Sequence, residues 1–127
     1  MFASLSGGTI YVRIYTNRMR LRRAESGDEV DLNATEAFSH QRSVIGDFAA
    51  ADKLLKSGMK SLKKLTRPVA VMHAIELAEG GLTALEHRAL SELALGAGAS
   101  KVIVWEGTEL SDDEVILLHK AEEQKTA

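Results

Sequence analysis

At 127 residues the chain has the length of one domain, enough for a single core and too short for two lobes. It is 45% hydrophobic and 27% charged, with a mean hydropathy of −0.09, which excludes intrinsic disorder. The formal charge of −2 excludes a general polyanion binder, though not a local basic patch, and the lack of cysteine excludes disulfides, thiolate metal sites and cysteine nucleophiles.

The opening MFASLSGG lacks the basic start and apolar stretch of a signal peptide. The apolar runs fall short of the ~18 residues of a membrane helix, so no transmembrane segment is expected. Residues 9–15 alternate, with Ile10, Val12 and Ile14 on one side and Tyr11, Arg13 and Tyr15 on the other, as in a half-buried strand. Met19 and Leu21, opposed to Arg18, Arg20 and Arg22, predict a second strand over 18–23. Thr16-Asn17 supplies a tight hairpin, since Asn tolerates positive backbone angles. Glu25–Asp28 is turn chemistry, and Val30 with Leu32 predicts a short, weak third strand.

Residues 33–46 are polar and carry no clear signal. Asp47 then caps a helix to about Leu65, with Phe48, Ala51, Leu55, Met59 and Leu62 as its buried stripe. Arg67-Pro68 ends it, and an apolar strand follows from Val69 to Ile75. Thr83–Glu86 is a capping box opening a helix to Gly96, and Ala97-Gly98 suits a left-handed C-cap. Lys101–Trp105 predicts a short buried strand. Ser111–Glu114 is a second capping box, opening a helix with Val115, Ile116, Leu118 and His119 on or near its inner face. The chain thus reads as a single domain over 1–127 with its core at about 8–120, and the polar tail 121–127 is expected to fray. A hairpin plus a weak strand, then helix-strand-helix-strand-helix with right-handed crossovers, predicts an α/β mixed sheet in the order of the ribonuclease H-like fold.

Several stretches resemble the bacterial actin homologue MreB. Val44-Ile-Gly-Asp-Phe48 is similar to that family's V-I-A-D-F, and Arg67-Pro68 with its apolar strand to R-P-x-V-V. Gly81–Ala89 resembles G-I-T-E-V-E-x-R-A, and Gly96–Val102 resembles A-G-A-R-E-V. Trp105-Glu106 falls on I-E-E-P, and Thr9–Thr16 on L-x-I-D-L-G-T. The set is collinear over roughly residues 8–108. The resemblance implies an actin-like ATPase subdomain, but the first one only. The second lobe is missing, and the outer subdomain would have to fit within residues 33–46. The phosphate turn D-L-G-T becomes Arg13-Ile14-Tyr15-Thr16. The metal-organising Asp is replaced by an opposite charge, the Gly by a side chain that fills the phosphate's space, and only Thr16 is kept. At the catalytic E-E-P stand Glu106-Gly107-Thr108, so Glu106 is at most a remnant. The resemblance therefore implies no ATP binding, no cofactor and no enzyme activity.

Other constellations are weaker. Metal-dependent nuclease chemistry needs carboxylates on the first strand, where Arg13 stands instead. Gly96-Ala-Gly98 follows a helix rather than opening one, so it is a C-cap and not a phosphate loop. His40, His73, His87 and His119 lack metal-ligand spacing, and His73 reads as a satisfied core residue. There is no nucleophile elbow. Residues 1–24 hold five Arg and no acid, while residues 106–123 hold seven acids against one Lys. Lys53, Lys56, Lys60, Lys63 and Lys64 share one helix face. These regions read as solvated surface, or as complementary partners in a contact between copies.

With the outer parts of the MreB-like molecule missing, Tyr11, Arg13 and Tyr15 are expected to lie open, with Arg18, Arg20 and Arg22 protecting the sheet by charge. These six, with Lys53, Lys56 and Lys60, form the expected interaction surface. The resemblance implies a cytoplasmic bacterial protein, and the resulting expectation is a non-catalytic MreB-like interaction module linked to cell shape or cytoskeletal assembly. Its partner would be a filament-forming shape protein or a second copy in a homodimer, and nucleic acid is disfavoured. The alternatives are a ribonuclease H-like nucleic-acid-associated protein and a self-associating module of unrelated role.

Overall fold

The alternation of residues 9–23 folds as a hairpin: β1 (Thr9–Tyr15) pairs antiparallel with β2 (Arg18–Arg23) across Thr16-Asn17. Asn17 adopts the left-handed region at φ +52°, which an Asn side chain tolerates. The weak strand is also present, as β3 (Glu29–Asn33), antiparallel to β2. The structure, a computed structural model, describes residues 7–39, 45–62, 66–76 and 80–126. Helix α1 (Phe48–Leu62) leads to β4 (Val69–Ala74), which runs parallel to β1. Helix α2 (Ala84–Gly96) leads to β5 (Lys101–Trp105), parallel to β4, and α3 (Asp112–Thr126) closes the chain. The result is a mixed five-stranded sheet, ordered β3-β2-β1-β4-β5, with three helices. No helix among the described residues is long and apolar enough to cross a membrane.

The main core lies on one face of the sheet. Ile10, Val12, Ile14, Met19 and Leu21 meet Ala70 and Met72 of β4, Leu55 and Met59 of α1, and Leu90 and Leu93 of α2. Gly58 marks the closest approach of α1 to the strands, since a Cβ there would lie 2.6 Å from Leu32 Cδ1 and 2.8 Å from Leu21 Cδ2. Helix α3 packs on the opposite face, where Val115 joins Tyr11 and Val71 with Ile103 and Leu118 at the margin.

The helix ends follow the caps. Asp47 Oδ1 accepts from the Ala50 N–H, and both capping boxes form, at Thr83/Glu86 and Ser111/Glu114. Gly96-Ala-Gly98 closes α2. The N–H groups of Ala97 and Ala99 return to the Leu93 and Ala94 carbonyls, with Gly98 at φ +108°.

Two details differ from expectation and three add to it. Phe48, expected in the buried stripe of the first helix, is exposed. Strand β5 is half-buried rather than buried, because it is an edge strand with a neighbour on one side only. The first helix ends at Leu62 in the described residues, and positions 63–65, with Lys63 and Lys64, lie outside them, as does His40. The last helix continues past Lys120 to Thr126. Within 33–46, the stretch with no clear signal, Phe38 is fully buried in the main core. Asn17 Oδ1 accepts from the Phe38 and Ser39 N–H groups, and the Phe38 carbonyl accepts from Gly46 and Asp47. Among the described residues, the Phe38 ring and Asn17 anchor this connection, with Ala34 and Ile45 packed against the core.

Candidate functional site: an arginine-lined cleft

The same alternation that buries Ile10, Val12 and Ile14 sends Tyr11, Arg13 and Tyr15 to the second face. The antiparallel register sets Tyr11 opposite Arg22, Arg13 opposite Arg20 and Tyr15 opposite Arg18. One strand further out, Glu29 lies opposite Arg22 and Asp31 opposite Arg20. Helix α3 covers only one end of this face. The rest forms a cleft of about 330 Å³ lined by Tyr11, Arg13, Arg20, Arg22, Glu29, Leu110, Ser111 and Asp112.

Glu29 is the hub. Its carboxylate accepts from Arg13 Nη2 at 2.7 Å and from Arg20 Nη2 at 2.6 Å, with Arg22 Nη1 at 3.4 Å. Burial pushes the Glu29 carboxyl up, but the hydrogen bonds from Arg20 and Arg13 outweigh it and hold the group below the usual range. Arg22 grips Asp112 at the start of α3 with two bonds, Nε to Oδ1 at 2.9 Å and Nη2 to Oδ2 at 3.0 Å. Arg18 makes the same fork on Asp31, at 2.8 and 2.5 Å, which holds that carboxyl low. Glu109, on the rim and 56% exposed, reaches Arg13 Nη1 only at 3.6 Å. The Arg13 guanidinium lies 5.3 Å from the Tyr11 ring centre, and that of Arg18 5.2 Å from Tyr15.

Beneath the cleft, one hydrogen-bond chain pins the 107–110 loop to the sheet. The Leu110 N–H donates to the Tyr11 hydroxyl at 3.1 Å, and the hydroxyl lies 2.7 Å from His73 Nδ1. His73 Nε2 lies 3.0 Å from the Gly107 carbonyl, which can only accept. Nε2 therefore carries the proton, and Tyr11 donates to Nδ1. Burial lowers the His73 pKa, in keeping with this neutral form, and raises that of Tyr11. His73 is thus the satisfied core residue that its apolar strand predicts.

The expected interaction surface is only partly a surface. Tyr11 is 1% exposed and Arg13 7%, so neither lies open. Helix α3, the 107–110 loop and the salt bridges from Glu29 and Glu109 supply the cover that the missing outer parts were expected to leave off. Tyr15, Arg18, Arg20 and Arg22 remain partly exposed around the cleft. Lys53, Lys56 and Lys60 lie on α1, behind the opposite sheet face, so the structure does not unite them with the arginines. Lys53 pairs with Glu36 at 3.4 Å and Lys56 with Asp52 at 2.9 Å. The basic N-terminal and acidic C-terminal regions meet inside one chain, through Arg22–Asp112 and Arg13–Glu109.

The residues of the nucleotide resemblance have other work. The Thr16 N–H donates to Glu76 at 2.8 Å. Both Glu106 oxygens are engaged, by the Leu82 N–H at 2.8 Å and by His87 Nε2 at 2.7 Å, and these bonds lower its pKa. Among the described residues no group of three or more His, Asp or Glu is arranged to hold a metal. Glu29 and Asp112 were missed as site residues. Glu29 had a readable signal, because Glu29 and Asp31 alternate on β3 in step with the arginines of β2.

The fold and cleft define a small mixed α/β protein with an ion-paired polar cleft at one end of its sheet. No protein-family model matches the chain. It is 36% identical over 101 residues to YjaA of Escherichia coli (strain K12), a protein described as uncharacterized, and the match covers 72% of this chain and 78% of that one. The chain belongs to the YjaA family.

Proposed function

We propose that this protein is a non-catalytic interaction module on a ribonuclease H-like sheet, which receives a protein partner at the arginine-lined cleft. The strand order β3-β2-β1-β4-β5, with β2 alone antiparallel to its neighbours on both sides, supports the architecture. So does the division of the helices, α1 and α2 against one face and α3 against the other.

One observation carries the functional reading. At the centre of β1, where metal-dependent chemistry on such a sheet requires a carboxylate, a buried arginine is locked to Glu29. At the turn where a phosphate would approach, the Thr16 N–H is taken by Glu76, and the Tyr15 ring lies against the Arg18 guanidinium. The narrower expectation, an MreB-like module acting on a cell-shape filament, rests on the sequence resemblance alone.

Calorimetric titration with magnesium-ATP tests the first part: no saturable heat is expected. Saturable binding that disappears in Thr16→Ala or Glu106→Gln would overturn the reading. Co-sedimentation with purified MreB filaments tests the second. The chain is expected in the pellet, and its retention in the supernatant would remove the cell-shape link.

A further inference from the structure

The charges of the cleft do not balance. Among the residues that line the cleft, Arg13, Arg20 and Arg22 bring three positive charges and Glu29 with Asp112 returns two, while Asp31, 3.7 Å from Arg20, is taken up by the fork of Arg18. Donors are also in surplus, since three guanidinium groups carry about fifteen N–H donors while two carboxylates offer about eight acceptor sites. The surplus is visible at Arg13, which is more than nine-tenths buried and whose Nε has no partner among the described residues. The buried Arg20 Nε is likewise without a hydrogen bond, with Asp31 Oδ2 at 3.7 Å. A buried N–H left unmade is costly, and two of the three such Nε atoms among the described residues belong to arginines of the cleft, the third being that of Arg23.

Glu109 is the group that answers the extra charge, and it does so loosely. It stands 3.6 Å from Arg13 Nη1, beyond hydrogen-bond length, with more than half its side chain in solvent. A carboxylate held this way is easily exchanged for another that reaches further in.

We propose that the cleft is a binding site for a single carboxylate, the Glu or Asp side chain of an acidic segment on a protein partner, and that Glu109 is its built-in placeholder. This rests on the interaction-module reading and names the chemistry that the module recognises. The size fits, because about 330 Å³ lies at the small end of ligand clefts and suits one side chain. The charge count selects a monoanion. A phosphate dianion would exceed the one positive charge that displacing Glu109 frees, while facing Glu29 and Asp112. The fork geometry of arginine favours a planar carboxylate for the same reason that Arg22 takes Asp112 with two bonds. The incoming carboxylate displaces Glu109 and closes on the Arg13 Nη1 that Glu109 leaves 3.6 Å away.

The test is calorimetry and amide NMR on the full chain with three probes: acetyl-Gly-Glu-Gly-amide, its Gln counterpart and inorganic phosphate. The Glu peptide is expected to bind saturably, with shifts centred on Arg13, Arg20 and Leu110, and the Gln peptide not to bind. Glu109→Gln removes the placeholder from an exposed position. It should tighten the Glu peptide by roughly two- to fivefold, the value of an exposed ion pair. Arg20→Gln should weaken it by about tenfold or more. Three results would each overturn the proposal: equal binding of the Gln peptide, tighter binding of phosphate, or no saturable binding to either the native chain or Glu109→Gln. A negative result here with a blank ATP titration removes the carboxylate site and leaves the module reading standing. ATP binding removes the module reading itself.

Discussion

Glu29 joins three arginines on the second face of the sheet, so replacing it by Gln keeps the shape and removes the charge. Arg13, with its side chain only 8% exposed, then loses its one close carboxylate, and Arg20 loses a 2.6 Å bond. Removing one partner of a fully buried pair costs ~3–5 kcal/mol. Glu29 keeps 23% of its side-chain exposure, so water offsets part of this, and about 2–3 kcal/mol is expected to remain. For a domain of this size, each 1 kcal/mol moves Tm by roughly 3–5 °C, which gives a fall of about 6–15 °C. Thermal melts followed by circular dichroism at neutral pH read it directly. Glu36→Gln serves as control: its partner Lys53 lies 3.4 Å away and both side chains are mostly exposed, so less than about 1 kcal/mol is at stake. The pH dependence adds a second check. The folded-state pKa of Glu29 is lowered, so its contribution is fully present above the ordinary glutamate value and is lost as pH falls through the folded one. The gap between native and Glu29→Gln chains should therefore be constant near neutrality and close on acidification below the ordinary range. A variant that melts within about 2 °C of the native chain, or a gap that widens in acid, would refute the reasoning.

Tyr11→Phe removes the hydroxyl that serves both Leu110 and His73 and leaves buried groups unpaired, so a loss of about 1–3 kcal/mol is expected in urea unfolding. Phe38→Ala should cost about 3–5 kcal/mol by the same measurement, because that ring is fully buried in the main core. At Asn17, Gly keeps the left-handed backbone and loses only the bonds to Phe38 and Ser39, whereas Ala loses both. Asn17→Ala should therefore be the less stable of the two by about 1 kcal/mol, and equal melting temperatures would contradict this.

Much of the fold was legible because its signals are local. Period-two alternation identified the faces of β1 and β2, and two capping boxes marked the starts of α2 and α3. The site was only half legible. The alternation put Tyr11, Arg13 and Tyr15 on one side of β1, but burial on that side depends on α3, about a hundred residues later. No local pattern says that α3 folds back over Tyr11 or that Asp112 reaches Arg22. Glu29 was readable only through its alternation with Asp31 on β3, and it takes the register to set both acids beside the arginines. Phe38 was a lone aromatic in a polar stretch, and a single residue has no period.

Strand β1 lies at the centre of the sheet, yet its second neighbour, β4, begins more than fifty residues further along the chain. During synthesis at ~5–20 residues per second, the finished β1–β3 meander waits roughly two to eight seconds for that partner. Throughout that time one edge of β1 is unpaired, and neither α2 nor α3 has been made. Such an edge invites the same edge of another nascent chain. On the second face of the meander Arg13, Arg18, Arg20 and Arg22 meet only Glu29 and Asp31, because Glu109 and Asp112 are not yet made, and two such faces of net positive charge repel each other. The surplus of base thus keeps half-made copies apart before α3 arrives.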